Sequence, residues 1–115
     1  MHELSIAMNI VEMALEEAER HGSVQVQAVY LRLGQLSGVV KEALLASYEM
    51  ACEKTSLEGS KLLIEEIPVE VMCPQCNAPR LVRSIQWFSC PECGAPTPTV
   101  LRGKELEVVA LEISE

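Results

Sequence analysis

The chain has 115 residues, 49% apolar and only 3% aromatic, with nine basic against seventeen acidic residues and a formal charge of -8. That length supports one modest core and a small satellite module. Phosphate backbones demand clustered Lys and Arg, which are missing here, so nucleic acid is excluded as an expected partner. No apolar run approaches the roughly 20 residues that span a bilayer, so no membrane role is expected either. Such an acidic surface suits solubility and attracts basic protein patches or metal cations.

Residues 4–20 have helical periodicity. Leu4, Ala7, Met8, Val11, Ala14, Leu15 and Ala18 recur at three- and four-residue steps, and Ile6, Ile10 and Met13 widen that face. Glu3, Asn9, Glu12, Glu16 and Glu17 interrupt any signal-like stretch and no basic leader precedes them, so a cytoplasmic location is expected. Gly22 is the expected terminator. From Val24 to Leu36 the period drops to two, which predicts a strand that is polar on one face at its start and buried further along. Residues 40–54 form a second predicted helix, with Leu44, Leu45, Tyr48, Ala51 and Cys52 inward. A second strand is predicted over 61–72, with Pro68 demanding an edge position or a bulge. A third is predicted from Lys104 to Ile113.

Residues 73–99 differ in composition, holding four of the five cysteines, five of the six prolines and the sole Trp and Phe. The expected fold class is therefore α+β: two helices packed on a three-stranded sheet, with an inserted zinc-ribbon module. The expected domains are a discontinuous one of residues 1–72 plus 100–115, and the ribbon of residues 73–99.

The inserted segment contains Cys73-Pro74-Gln75-Cys76 and, thirteen residues on, Cys90-Pro91-Glu92-Cys93. Two intervening residues let a tight turn aim both sulfurs at one ion, and two such turns complete a tetrahedron of thiolates. Asn77 and Gly94 follow the second cysteine of each pair, where a positive φ is often required. Leu81, Val82, Ile85, Trp87 and Phe88 are the expected cover of a minimal core. A module of this size needs a metal to fold. Four thiolates close the coordination sphere, so the expected Zn(II) is structural and leaves no place for a substrate. Two rival readings share this pattern: a rubredoxin-like iron electron carrier, and a zinc-shaped docking module without other chemistry. Cys52 fits as a small core residue.

The amino terminus offers a second metal-binding pattern. His2 disfavours removal of Met1, so the Met1 amine, the His2 amide nitrogen and the His2 imidazole can chelate one ion. The fourth donor is open between the Glu3 amide, the Glu3 carboxylate and another residue. Planar nitrogen donors favour Ni(II) or Cu(II). The plain alternative is a frayed terminal His2, with Glu3 as a negative charge near a helix N-terminus.

Met1-His2-Glu3-Leu4-Ser5, Leu33-Gly34-Gln35-Leu36-Ser37-Gly38-Val39, the two cysteine turns and Gly103-Lys104-Glu105-Leu106 together resemble the HypA/HybF hydrogenase maturation factors over the full length. Gln35 stands where an acidic residue is more usual, at a position that is not a metal ligand in that family. The resemblance implies a nickel metallochaperone without catalytic turnover, carrying Ni(II) transiently through Met1, His2 and Glu3, and holding Zn(II) at Cys73, Cys76, Cys90 and Cys93. It also implies a nickel-binding GTPase accessory protein and the large subunit of [NiFe]-hydrogenase as partners, with urease maturation proteins as further candidates. A monomer is expected, and a hinged ribbon is compatible with a domain-swapped dimer.

Overall fold

The computed structural model describes residues 3–82 and 88–114. The chain divides into two compact units, one of Met1–Arg32, Val39–Glu65 and Glu107–Glu115, the other of Leu33–Gly38 and Glu66–Leu106. The second unit thus reaches beyond residues 73–99 on both sides.

Helix α1 spans Glu3–Arg20, with Glu3 in its first turn and Arg20 in its last, each complementing the helix dipole. It closes where the Ser23 N–H donates to the Ala18 carbonyl at 2.8 Å, with a φ of 85° at Gly22. The buried side chains are Ile6, Ala7, Ile10, Val11, Ala14 and Ala18. Leu4 and Met8, expected inside, are 42% and 57% exposed. The apolar surface of α1 is wider than the protein that covers it, and the buried stripe is centred toward Ile6 and Ile10.

Strand β1, Gln25–Gly34, alternates as its sequence requires: Gln25 and Gln27 are exposed, while Val29, Leu31 and Leu33 further along are buried. Helix α2 spans Lys41–Cys52 and packs against α1. Its buried residues, Leu44, Tyr48 and Cys52, recur every four positions along one stripe. Burying a leucine as fully as Leu44 contributes about 2 kcal/mol. Past the helix, the Thr55 hydroxyl donates to the Cys52 carbonyl at 2.7 Å and accepts the Leu57 N–H at 3.1 Å, which seats Leu57 out of solvent.

Strands β2, Lys61–Ile67, and β6, Leu106–Ser114, flank β1 in the sheet order β2-β1-β6. Gln27 with Ser114 and Tyr30 with Glu112 are joined by side-chain hydrogen bonds of 3.0 Å, and Arg32 lies 3.2 Å from Glu65 and 3.9 Å from Glu107. Both helices lie on this sheet. Met13 and Ala18 share one groove with Leu111 and Ile113, while Lys41 and Leu45 share another with Leu31 and Leu62.

The expected strand over 61–72 is two strands in two different sheets. Proline lacks the N–H a ladder needs, and at Pro68 the neighbouring backbone groups turn to Gln35 instead. The Ile67 carbonyl accepts the Gln35 N–H at 3.1 Å, and the Gln35 Oε1 accepts the Val69 N–H at 3.4 Å. Beyond that break, β3 (Glu70–Cys73) is the centre of a second sheet with β4 (Ala78–Leu81) and β5 (Thr99–Arg102), both antiparallel to it. This sheet was not expected from the sequence.

In the second unit the segment around Gly34 meets the segment around Gly103. Gly34 N–H donates to the Glu105 carbonyl and Leu36 N–H to the Gly103 carbonyl, both at 2.7 Å. A Cβ on Gly34 would sit 2.1 Å from the Gly103 carbonyl oxygen, so only glycine permits this approach.

Candidate metal centre

Cys73 ends β3 and Ala78 opens β4 directly opposite it, so the first cysteine pair lies on the tight turn of a hairpin. Within that turn the Cys76 N–H donates to the Cys73 Sγ at 3.2 Å. The second pair is held by backbone bonds: Gly94 N–H donates to the Cys90 carbonyl at 2.8 Å, and Cys90 N–H to the Ala95 carbonyl at 2.9 Å. Asn77 and Gly94 have φ of 53° and 77°, the left-handed values expected of both.

All four sulfurs lie within 4.8 Å of one another. Cys73 and Cys93 are 3.5 Å apart and Cys76 and Cys90 are 3.9 Å apart. A tetrahedron with metal–sulfur bonds of about 2.3 Å has edges of about 3.8 Å, so the spacing matches a thiophilic ion with four ligands. No disulfide competes, since all four are free thiols. Cys73 and Cys90 are buried and Cys93 is exposed.

The protonation of the cluster is lopsided without a cation. Burial opposes ionisation of Cys90, yet the backbone N–H groups of Cys93 and Glu92, with neighbouring thiols, bring it from 9.0 down to about 6. At Cys93 the Ala95 N–H favours the thiolate, but desolvation and three neighbouring sulfurs push it up to about 12. Like charges this close cannot all form unless a cation joins them.

The expected cover of the site is only partly as foreseen. Leu81 is 54% exposed, because β4 points it away from the face that Cys73 shares. Val82 and Phe88 are half-buried, and Ile85 and Trp87 lie outside the described residues. Among the described residues, Val69, Val71 and Thr97 are the fully buried residues of this unit beside Cys73 and Cys90. Val69 and Val71 belonged to the predicted strand over 61–72. Thr97 carried no signal in the sequence.

Of the amino-terminal residues, Met1 and His2 lie outside the described residues. Glu3 opens α1, and its Oε2 accepts the Val40 N–H at 3.2 Å. Val40 is the extended residue that starts α2, and its own side chain provides no cap. The Glu3 carboxylate therefore supplies negative charge at that helix start. Cys52 is buried on α2, 3.9 Å from the Ser60 hydroxyl and remote in sequence from the four-cysteine cluster. His21 lies exposed 3.8 Å from Glu17.

A family model described as "Hydrogenase/urease nickel incorporation, metallochaperone, hypA" matches residues 1–113. The chain belongs to the HypA family. Among curated relatives named hydrogenase maturation factor HypA, that of Chloroflexus aggregans is 49% identical over 112 residues, covering 97% of this chain and 98% of the relative. That of a Roseiflexus species is 45% identical over 115 residues, covering 100% and 94%. The solution structure of the Ni metallochaperone HypA from Helicobacter pylori superposes with a TM-score of 0.66 at 21% identity, covering 98% of this chain and 97% of that one. A second HypA solution structure gives 0.72 at 21% identity, covering 99% and 97%. These two likenesses show the fold.

As a HypA-family member the protein is a metallochaperone-type maturation factor, not an enzyme. Its four-cysteine cluster is a metal site of the kind that zinc occupies. Among the described residues no helix is long and apolar enough to cross a membrane.

Proposed function

We propose that this protein carries Ni(II) at its amino terminus and delivers it to the large subunit of [NiFe]-hydrogenase, acting in the cytoplasm with a nickel-binding GTPase. Urease maturation is a second client of the same cargo. The observation that carries this reading is the family match, which runs from residue 1 and so includes Met1-His2-Glu3. The proposed ligands are the Met1 amine, the His2 amide and imidazole nitrogens, and a donor from Glu3. The Glu3 carboxylate also meets the start of α2, so it anchors the first turn of α1 beside the chelate. The nickel-binding domain is assigned to residues 1–72 plus 100–115, and the zinc ribbon to residues 73–99.

Cys73, Cys76, Cys90 and Cys93 would hold Zn(II), which supplies structural cross-linking and, with four thiolates, no open position. An exposed terminal chelate suits transfer because a partner can displace its donors one at a time. Cu(II) binds such nitrogen donors more tightly than Ni(II), so partner recognition and metal supply must provide selectivity.

The test is a Ni(II) titration of zinc-loaded protein with its native terminus, beside the same protein extended by a few residues before Met1 and beside His2→Ala. Tight binding is expected for the native terminus alone, weakening below about pH 6 as the imidazole protonates. Equal binding by all three would place nickel elsewhere and leave a zinc-shaped docking module as the better account.

A further inference from the structure

Four thiolates around one divalent ion leave a centre with two excess negative charges, partly withdrawn from water. The unit that contains it has four acidic and four basic residues, so it has no surplus of cations to spare. Among those cations Arg102 is engaged by Glu70, its antiparallel neighbour across β3 and β5, at 3.4 Å. Arg80 is placed differently.

In the β3–β4 hairpin Cys73 stands opposite Ala78, and Val71 stands opposite Arg80. Directly opposed residues share a face of a sheet, and so do residues two apart. Arg80 therefore rises from the same face as Cys73, one side-chain step along the hairpin. The Cys76 and Cys90 side chains, one from each turn, are the main influences that hold its guanidinium above its ordinary range. One terminal nitrogen donates to the Pro79 carbonyl at 3.3 Å. The Nε is sealed from solvent and has no hydrogen-bond partner.

We propose that Arg80 is the counter-cation of the four-cysteine centre, donating to the metal-bound thiolates and offsetting their charge. This rests on the zinc reading of the cluster. Guanidinium is suited to the task, since it stays charged at any physiological pH and presents several donors in one plane. Donation to a bound thiolate draws electron density from sulfur, which makes the thiolate a poorer nucleophile and a poorer proton acceptor. Arg80 thus acts as a positioning residue that retains the ion. Loss of such outer partners typically costs 10–100-fold in metal affinity.

The experiment compares the full-length protein with Arg80→Met, which keeps an apolar stem of similar length, and Arg80→Lys, which keeps the charge. Zinc affinity is read by competition with a chelator. The sulfur-to-metal charge-transfer band is read after Co(II) replacement, and circular dichroism checks the fold. Arg80→Met is expected to lose about 10–100-fold in affinity and to shift the Co(II) band to lower energy, with Arg80→Lys recovering most of both. Parent-like affinity in Arg80→Met would overturn the proposal. So would a loss of affinity with an unmoved band, or a loss that lysine does not restore, since either assigns Arg80 to packing alone. If the parent protein itself fails to bind zinc, the zinc reading falls and takes this inference with it.

Discussion

Tyr48 is 3% exposed on the buried stripe of α2, and its hydroxyl lies 2.7 Å from the Ser60 hydroxyl. Burial raises its phenol well above the ordinary value of 10.0, more than the Ser60 bond lowers it. The fold therefore prefers the neutral phenol. The stability it contributes is fully present below pH 10 and is lost as pH rises toward the folded-state value. Urea denaturation at pH 8 and above pH 10 should show an alkaline loss that Tyr48→Phe reduces, against a cost of about 1 kcal/mol at pH 8 for the missing hydrogen bond. An alkaline loss of equal size in both proteins would assign it to other groups. At this scale the sequence was most readable where chemistry is local. Two cysteines three apart, with Asn77 and Gly94 after them, announce their turns without further context. Arg80 could not be found that way, because its place on the face of Cys73 depends on which residue of β4 stands opposite that cysteine. Strand register is a tertiary fact.

Among the elements, both helices follow from periodicity, whereas the division of the 61–72 stretch does not. Pro68 signals an interruption, but a bulge and a change of sheet look alike until the partners of Ile67 and Val69 are known. Those partners come from Gln35, some thirty residues earlier. The second sheet was hidden for another reason: β3, β4 and β5 are four residues each, too short for an alternating pattern to stand out. The Gly34–Gly103 contact gives this scale its prediction. Gly34→Ala forces a methyl group onto the carbonyl of Gly103 and weakens the 2.7 Å bonds on either side. A loss of about 3 kcal/mol is expected, as for severe overpacking, measured as a lowered urea midpoint. A midpoint unchanged from the parent would mean that the two segments separate without cost.

Over the whole molecule, charge and metal are partitioned. Thirteen acidic and five basic residues fall in the first unit, which therefore carries the entire formal charge of -8, while the second is balanced. The first unit has the helices and the larger apolar core, and the second has the cysteine cluster. Metal removal should act accordingly. With Cys93 held up at about 12, the metal-free cluster keeps protons at neutral pH that zinc must displace. Zinc affinity should therefore rise with pH, by about tenfold per unit for each proton displaced. Chelation at pH 7 should collapse amide protection across residues 70–81 and leave α1 and α2 protected, as read by hydrogen exchange. Loss of protection throughout both units on chelation would show that the first depends on the metal as well.

The meeting of Gly34 with Gly103 also has a genetic consequence. The atoms that a Cβ at residue 34 would strike are the oxygen and carbon of Gly103 and the nitrogen of Glu105, all main-chain atoms that every amino acid carries. No change of residue type at 103 or 105 can clear them. At Gly103 itself the nearest atoms include the Val69 Cγ2, but a φ of 126° already bars most side chains there. A selection for revertants of Gly34→Ala should thus return the original codon or distant stabilising changes, and no compensating partner at the point of contact.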